Sequence, residues 1–347
     1  MPLIRFEKRT VTTRIRHPLK DFQVTEEEVE VRTDPLLGYT SRILSSKGLD
    51  AQPENDPLPD FAKASPPCFF CEGRVETQTP MLPEEIHPPG RIQVGKALLF
   101  PNLAGYGKYS GVCILSKDHF LPVESFQVEL IVDALRACQV YFQRCARADE
   151  ETLYPSVNWN YLLPAGSSLL HPHLQPILDP IPTNTHRDII DTAHVYEEIS
   201  GTRYWQDFRE TERNGPRFLF ESDGGFWFTP FAPVGFNECN ALVGRGESFL
   251  DLDARILEEI AEGLHRVFRF YYRMKHNSFN LVLFSPPVGC ESSDSMPCLL
   301  KVASRPVFAP YYRNDVTFFE RFHQESVIDR SPEELAEALR NFLKHHK

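Results

Sequence analysis

The sequence predicts an α+β fold built from two similar halves. Three observations carry this reading. The order strand, strand, long helix, strand occurs once over residues 97–163 and again over 226–284. The 29 prolines among 347 residues favour loops and short strands over a long helical bundle. Hydrophobic residues make up 41% of the chain, enough for a real core and too many for global disorder. The length also fits two units of about 150 residues, or one domain made of two similar halves.

Each element follows from local pattern. Residues 1–50 carry alternating patterns, such as Val24 to Val31, that read as short strands, and Asp34-Pro35-Leu36-Leu37-Gly38 reads as a turn between them. Residues 50–67 are rich in Pro, Asp and Ala and read as a surface loop. Ala97–Phe100 and Gly111–Leu115 read as strands. Phe126, Leu130, Val132, Leu135, Val140 and Tyr141 have helical spacing over 125–148, with no Pro or Gly to break it. A strand over 156–163 leads into Ala165-Gly166-Ser167-Ser168. A second unit begins near 215, with strands at Phe226–Phe228 and Asn240–Val243, a helix over 251–275 and a strand at Phe279–Phe284. The repeated order suggests a duplication, although residue identity between the halves is low. A last helix starts with Ser331 as N-cap and Pro332 at its first position.

The formal net charge is −11, which disfavours a duplex nucleic acid as partner, because neutralising many phosphates takes a basic face. A small anionic ligand is not disfavoured, since a few cations and backbone N–H groups hold one phosphate. The charged first 22 residues contain no apolar core of a signal peptide, and no run approaches the roughly 18 apolar residues of a membrane span. The expected compartment is therefore the cytoplasm, with no membrane partner. In that compartment close cysteines point to metal binding before disulfides.

Two motifs carry chemistry. In His171-Pro172-His173-Leu174-Gln175 an extended strand puts residues i, i+2 and i+4 on one face, so two imidazoles and one amide converge. The preceding Ala165-Gly166-Ser167-Ser168 offers small residues and hydroxyls suited to an anion. Read alone, the run is equally a polar strand face with two solvated histidines. Cys68 and Cys71 form a C-x-x-C turn that can place two thiolates on one Zn²⁺. No second C-x-x-C exists, so histidines must complete a tetrahedral site, and His119 and His171 are the best placed. A thioredoxin-like redox pair or two incidental cysteines are the alternatives. The redox alternative lacks a surrounding βαβ pattern.

At these residues the chain resembles the galactose-1-phosphate uridylyltransferase family of the histidine-triad superfamily. That group includes relatives of the ADP-glucose phosphorylase and adenylylsulfate:phosphate adenylyltransferase kind. The resemblance rests on Cys68-Phe69-Phe70-Cys71, on His119 in Ser116-Lys117-Asp118-His119, and on His171 to Gln175. It extends to Arg32-Thr33-Asp34-Pro35-Leu36-Leu37-Gly38, Asn160 and Ala165-Gly166-Ser167-Ser168, in the right order over about 30–175. It implies histidine-triad-like halves of antiparallel sheet with packed helices, at 1–200 with the zinc site and nucleophile and at 201–347. It also implies a double displacement. His173 takes a nucleoside monophosphate from a nucleotide-diphosphate-type donor and passes it to a phosphate or sugar phosphate. Gln175 then contacts a non-bridging phosphate oxygen, and Asn160, Gly166, Ser167 and Ser168 contact phosphate. Asn102 contacts the base. One structural Zn²⁺ sits on Cys68, Cys71, His119 and His171. A homodimer is also implied, although no interface is readable in the sequence.

The chain departs from the family in its second half. Leu300-Lys301-Val302-Ala303-Ser304-Arg305 lacks the histidines of a second metal site found in some members, so no second metal is expected. Asn314 to Glu320 lacks a clear counterpart of the family's sugar-binding lysine and glutamate. The donor is therefore open among UDP-hexose, ADP-sugar and adenylylsulfate. Arg32, Arg42, Lys47, Lys108 and Arg305 are weighed as phosphate contacts against the plainer reading of solvated surface charges. His186, His194, His265, His276 and His323 read as surface or core histidines. Two rival functions remain. A nucleotide hydrolase on the same scaffold is disfavoured by Gln175, where related hydrolases carry a third histidine able to act in acid–base chemistry. A non-catalytic zinc-stabilised nucleotide-binding protein is disfavoured by His173, which a pure binder does not need.

Overall fold

The structure, a computed structural model, describes residues 4–44, 68–289, 296–308 and 314–345. The loop expected over 50–67, and Lys47, lie outside the described residues. The strands in chain order are β1 (Lys8–His17), β2 (Gln23–Thr33), β3 (Thr40–Leu44), β4 (Ile92–Val94), β5 (Ala97–Pro101), β6 (Tyr109–Ile114), β7 (Tyr154–Tyr161), β8 (His173–Asp179), β9 (Phe218–Glu221), β10 (Gly225–Phe228), β11 (Phe236–Val243), β12 (Phe279–Phe284), β13 (Cys298–Ser304) and β14 (Ser326–Ile328). The α-helices are α1 (Val75–Gln78), α2 (Val128–Ala148), α3 (Asn184–Ser200), α4 (Tyr204–Glu212), α5 (Ala254–Arg273) and α6 (Pro332–His345). None of these helices is long and apolar enough to cross a membrane.

The fold is α+β, as expected. One ten-stranded sheet runs β4-β5-β6-β8-β7-β12-β13-β11-β10-β9, and its pairings are antiparallel throughout. Read from either edge toward the middle, the order repeats: β4-β5-β6-β8-β7 on one side and β9-β10-β11-β13-β12 on the other. The two runs meet where β7 pairs with β12, Asn160 opposite Asn280. The duplication suggested by the sequence is thus visible in the strand order.

Strand alternation decides what each face does. Val157, Trp159 and Tyr161 of β7, and Phe279, Leu281 and Leu283 of β12, enter the main core. Asn158, Asn160, Asn280 and Val282 lie on the opposite face. Against the core face pack α2 and α5. In α2, Ile131, Leu135, Cys138, Phe142 and Cys145 recur at helical spacing and are all buried. Helix α5 begins where the Asp253 side chain accepts from the Ile256 N–H at 2.8 Å, a conventional N-cap. Gly263 lets it approach the sheet, because a Cβ there would lie 2.1 Å from Trp227. Phe126 and Trp159 from the first half pack on Phe268 and Phe279 from the second, with Phe126–Phe268 centroids 5.6 Å apart and Trp159–Phe279 5.0 Å apart. Each such pair contributes about 1 kcal/mol beyond its buried area, so the halves share one core.

A second sheet, β1-β2-β3-β14, lies beside the first. Buried arginines join it to the rest. Arg32 on β2 donates to both oxygens of Glu333 on α6, at 3.0 and 2.9 Å, and Arg217 donates to Glu333 at 3.0 Å. Arg32 is therefore an internal ion-pair partner and neither a solvated charge nor a phosphate contact. Helix α6 opens with Ser331 and Glu334 exchanging hydrogen bonds, Glu334 N–H to the Ser331 hydroxyl at 3.3 Å and Ser331 N–H to the Glu334 carboxylate at 3.2 Å.

Several boundaries differ from the sequence reading. β7 ends at Tyr161, because Leu162 takes φ +66° and a short 3-10 turn follows at Leu163–Ala165. The long helices start at Val128 and Ala254, after 3-10 turns at Val123–Ser125 and Phe249–Asp251. Helices α3 and α4 are not in the sequence reading at all. In α3 only His186 and Ile189 are buried, so its apolar stripe is too narrow to declare a helix.

Candidate active site and metal centre

Cys68, Cys71, His119 and His171 come together, with one ligand atom from each lying within 4.8 Å of the others. The Cys68 and Cys71 sulfurs are 3.8 Å apart, His119 Nδ1 is 3.3 Å from Cys71 Sγ, and His171 Nδ1 is 3.7 Å from Cys68 Sγ and 3.8 Å from Cys71 Sγ. Metal–sulfur bonds of ~2.3 Å at tetrahedral angles give a sulfur–sulfur separation of about 3.8 Å, so the set fits a four-coordinate ion. The ring hydrogens agree. His171 Nε2 lies 2.9 Å from the Ser116 carbonyl, so Nε2 carries the hydrogen and Nδ1 presents its lone pair to the thiols. Burial pushes His171 down to about 4, against the opposing pull of the Ser116 carbonyl. Burial also lowers His119. Both imidazoles are thus held neutral, as ligands must be. Burial and the neighbouring Cys71 raise the Cys68 thiol, which a bound cation would reverse.

The same turn brings in a wall for His173. Phe70, between the two cysteines, packs edge-on to the His173 ring with centroids 5.3 Å apart, and on Phe100 at 5.3 Å. His173 is 7% exposed, and its Nδ1 lies 2.8 Å from the His171 carbonyl. A carbonyl only accepts, so Nδ1 carries the hydrogen and Nε2 holds a free lone pair. Burial lowers the His173 pKa, with the His171 carbonyl opposing. The ring is neutral, oriented and aimed by its own backbone.

Gln175 follows on β8. Its carbonyl accepts from Asn158 Nδ2 at 3.0 Å, while its side chain is half-buried. The loop before the histidines differs from expectation in what it offers. The N–H groups of Ala165, Gly166 and Ser167 bond back to Leu162, Leu163 and Leu162 carbonyls at 3.1, 2.9 and 3.2 Å. The Ser167 hydroxyl donates to Leu169 O at 2.7 Å. Ser168 is exposed. Gly166 at φ +85° is needed for that backbone conformation and not for close approach, since a Cβ there meets nothing within 4 Å.

Asn160 faces across to β12. Asn280 Nδ2 donates to Asn160 Oδ1 at 2.7 Å and to the Ala165 carbonyl at 2.8 Å, while Asn280 Oδ1 accepts from Arg305 Nη1. Arg305 in turn is clamped by Asp315, with Nε 2.9 and 2.7 Å from the two carboxylate oxygens. Arg305 also lines an open cleft of about 490 Å³ with Leu163, Pro164, Ala165, Gly166, Asn314 and Val316. Asn102 stands just past β5, two residues after Phe100, with its side chain accepting from Ala104 N–H at 3.1 Å. Of the other cations, Arg42 pairs with Glu325 and Lys108 with Asp149. His186 and His276 are buried core residues.

Phe70, Asn280 and Asp315 were missing from the sequence reading. Asn280 had a signal: it is the one polar side chain in Phe279–Phe284, an otherwise apolar strand.

This architecture is that of the galactose-1-phosphate uridylyltransferase fold. An ADP-glucose phosphorylase from Arabidopsis thaliana superposes with a TM-score of 0.70 at 19% identity, covering 90% of this chain and 98% of that one. A galactose-1-phosphate uridylyltransferase-like protein from the same plant gives 0.68 at 18% identity, with 89% and 98% covered. A uridylyltransferase mutant gives 0.66 at 18%, with 91% and 99% covered. No protein-family model matches the chain. An uncharacterized protein of Archaeoglobus fulgidus is 33% identical over 323 residues, 92% of this chain and 93% of that protein. The chain belongs to one family with it.

Proposed function

We propose that this protein is a nucleotidyltransferase that carries a nucleoside monophosphate on Nε2 of His173. The observation that supports the reading is the pairing of His173 Nδ1–H with the His171 carbonyl at 2.8 Å, which leaves Nε2 as the ring nitrogen with a free lone pair. The Nε2 lone pair bonds to the α-phosphorus of a nucleotide-diphosphate-type donor. The bond from phosphorus to the leaving oxygen breaks, and that oxygen departs with the electron pair. An oxygen of phosphate or of a sugar phosphate then attacks the same phosphorus, and the nitrogen–phosphorus bond breaks back to Nε2. Splitting the displacement this way predicts ping-pong kinetics. Gln175, Asn160 and Ser168 supply donors to the phosphoryl oxygens, where charge grows in the transition state.

The thiol–imidazole cluster is read as a structural zinc site. Two sulfurs and two nitrogens suit Zn²⁺, and four protein ligands leave no open position. Held by Cys68, Cys71, His119 and His171, such an ion would pin the start of the strand that carries His173. The chain divides near residue 200 into two histidine-triad-like halves, with one reactive centre in the first. The donor is a UDP-hexose, an ADP-sugar or adenylylsulfate. The likeness to an ADP-glucose phosphorylase at TM-score 0.70 puts ADP-glucose first to be tried.

The test is to incubate the chain, without acceptor, with ADP-glucose, UDP-glucose, adenylylsulfate or Ap4A, and to weigh it intact. A gain of one AMP or UMP, absent from His173→Ala, is expected and names the base. No gain with any of the four donors refutes the reading in favour of a binding protein. Release of free AMP or UMP that added phosphate does not divert would instead favour a hydrolase.

A further inference from the structure

The contacts of Asn160 fix which end of its amide faces the substrate, and the fixing group lies in the other half of the chain. Arg305 has donors only, so the atom of Asn280 facing it must be the oxygen. The Ala165 carbonyl accepts only, so the atom of Asn280 facing it, at 2.8 Å, must be the nitrogen. These two neighbours determine the Asn280 orientation from chemistry, independently of how an amide would otherwise be placed. Asn280 therefore presents N–H to Asn160 at 2.7 Å. Asn160 must meet it with its oxygen, and its NH₂ group is turned away from β12. Asp315 completes the chain by holding the Arg305 fork on both carboxylate oxygens.

We propose that Asp315, Arg305 and Asn280 form a positioning relay that presents the Asn160 NH₂, and not its carbonyl, to the phosphoryl group on His173. The inference rests on the nucleotidyl-transfer reading above. An asparagine free to flip spends part of its time offering an oxygen to an anion, which repels it. The relay removes that state before substrate arrives, and preorganisation of this kind is where donor groups gain their catalytic value. It also explains why an amide and a charged pair occupy the non-core face at the seam between the halves, 120 residues away from Asn160 in the case of Asn280. None of the three touches the reacting atoms. They act through Asn160.

The test is a double-mutant cycle on single-turnover labelling of His173, using ADP-glucose and UDP-glucose in separate assays. Asn280→Asp keeps the acceptor for Arg305 but has no hydrogen to give Asn160. It is expected to slow labelling by about 100- to 1,000-fold, the range for losing one directed donor, with a smaller change in the half-saturating donor concentration. Asn160→Ala is expected to slow labelling similarly. The decisive arm is Asn160→Ala/Asn280→Asp, which should be no slower than Asn160→Ala alone. Arg305→Lys, which retains a donor for Asn280, should fall less than Arg305→Met. A labelled wild type with an Asn280→Asp rate unchanged, or with losses that multiply in the double variant, overturns the relay alone. A wild type that neither donor labels overturns the transfer reading for these donors and the relay with it. Melting temperatures of all variants separate a failed fold from a failed relay.

Discussion

His173 donates its Nδ1 hydrogen to the carbonyl of His171, 2.8 Å away and two residues earlier in the same strand approach. One short stretch of backbone thus sets the tautomer, aims the ring and joins it to the residue whose own Nδ1 faces the cysteines. His173 is not among the four clustered ligands, so reactivity and metal binding are separable by substitution. His173→Ala should keep its metal content and remain folded, losing about 1–3 kcal/mol for the small cavity, while nucleotide labelling vanishes. Metal analysis, a melting curve and intact mass on the same sample check this. Persistent labelling at the wild-type rate would exclude His173 as the carrier.

Removing the metal should act on both stability and rate. Binding that is a thousandfold above its dissociation constant adds about 4 kcal/mol to the folded state. Stripping the chain with a strong chelator should therefore lower the melting temperature by roughly 5–10 °C. Cys71→Ser should do the same and drop zinc from one per chain to near zero, since Cys71 Sγ lies within 3.3–3.8 Å of Cys68, His119 and His171 atoms. Labelling of His173 should fall as well, because His171 loses the partner that fixes it. An unchanged melting point after verified metal loss would remove the structural role.

How much of this was readable beforehand depends on how far apart in the chain the partners lie. Cys68, Cys71 and the His171–Gln175 run are local spacings, and the structure brings Cys68, Cys71 and His171 together with His119. The long helices were legible because α2 and α5 each bury a full stripe against the sheet. Helix α3 was not, because it fully buries only His186 and Ile189, and its other contacts are partly exposed. Short strands are expected within residues 1–50, but the bounds of β1 were not legible, since the β1–β2 ribbon is exposed on nearly every residue of β1, leaving no buried face to mark its ends. The loop at 165–167 looked like an anion cradle from its small residues. Where its N–H groups point is a matter of backbone geometry, and Leu162 at φ +66° turns them inward. Asn280 and Arg305 reach the site only through strand pairing across the seam, which no local pattern encodes.

Glu333 should give the fold an acid-sensitive contact. Burial pushes its carboxyl up, but Arg32 and Arg217 outweigh burial and hold it below the usual glutamate range. Both arginine side chains are nearly covered, at 5% and 8% exposure, so removing the charge leaves Arg32 with Glu30 alone and Arg217 with Glu212 alone as carboxylate partners. Glu333→Gln should cost about 3 kcal/mol at neutral pH. The sign follows from the lowered folded-state value. The stabilisation is full above the unfolded glutamate pKa of about 4.3 and is lost as pH falls through the lower folded-state value. Denaturation curves of wild type and Glu333→Gln should therefore run parallel above about pH 5 and converge below pH 4. A gap that persists at pH 3 would mean that packing, not charge, carries the difference.

On the nucleotidyl-transfer reading proposed above, Gln175 is expected to set the partition of the nucleotide between transfer and hydrolysis. An amide at this position donates a hydrogen bond but takes up no proton near neutral pH, so it stabilises the phosphoryl group without activating water. A histidine there adds a group that exchanges protons in the neutral range. Gln175→His should thus raise the ratio of free nucleotide monophosphate to transfer product, by about tenfold or more, while His173 is still labelled. The side chain sits on β8 with its backbone carbonyl held by Asn158 at 3.0 Å, so the exchange leaves the strand's pairing in place. The measurement is product analysis with labelled donor at fixed phosphate, and the partition ratio is read rather than total turnover, since both routes share the first step. A fall in labelling with an unchanged ratio would mean that Gln175 serves the first displacement only and that water is excluded by the shape of the cleft beside Gly166.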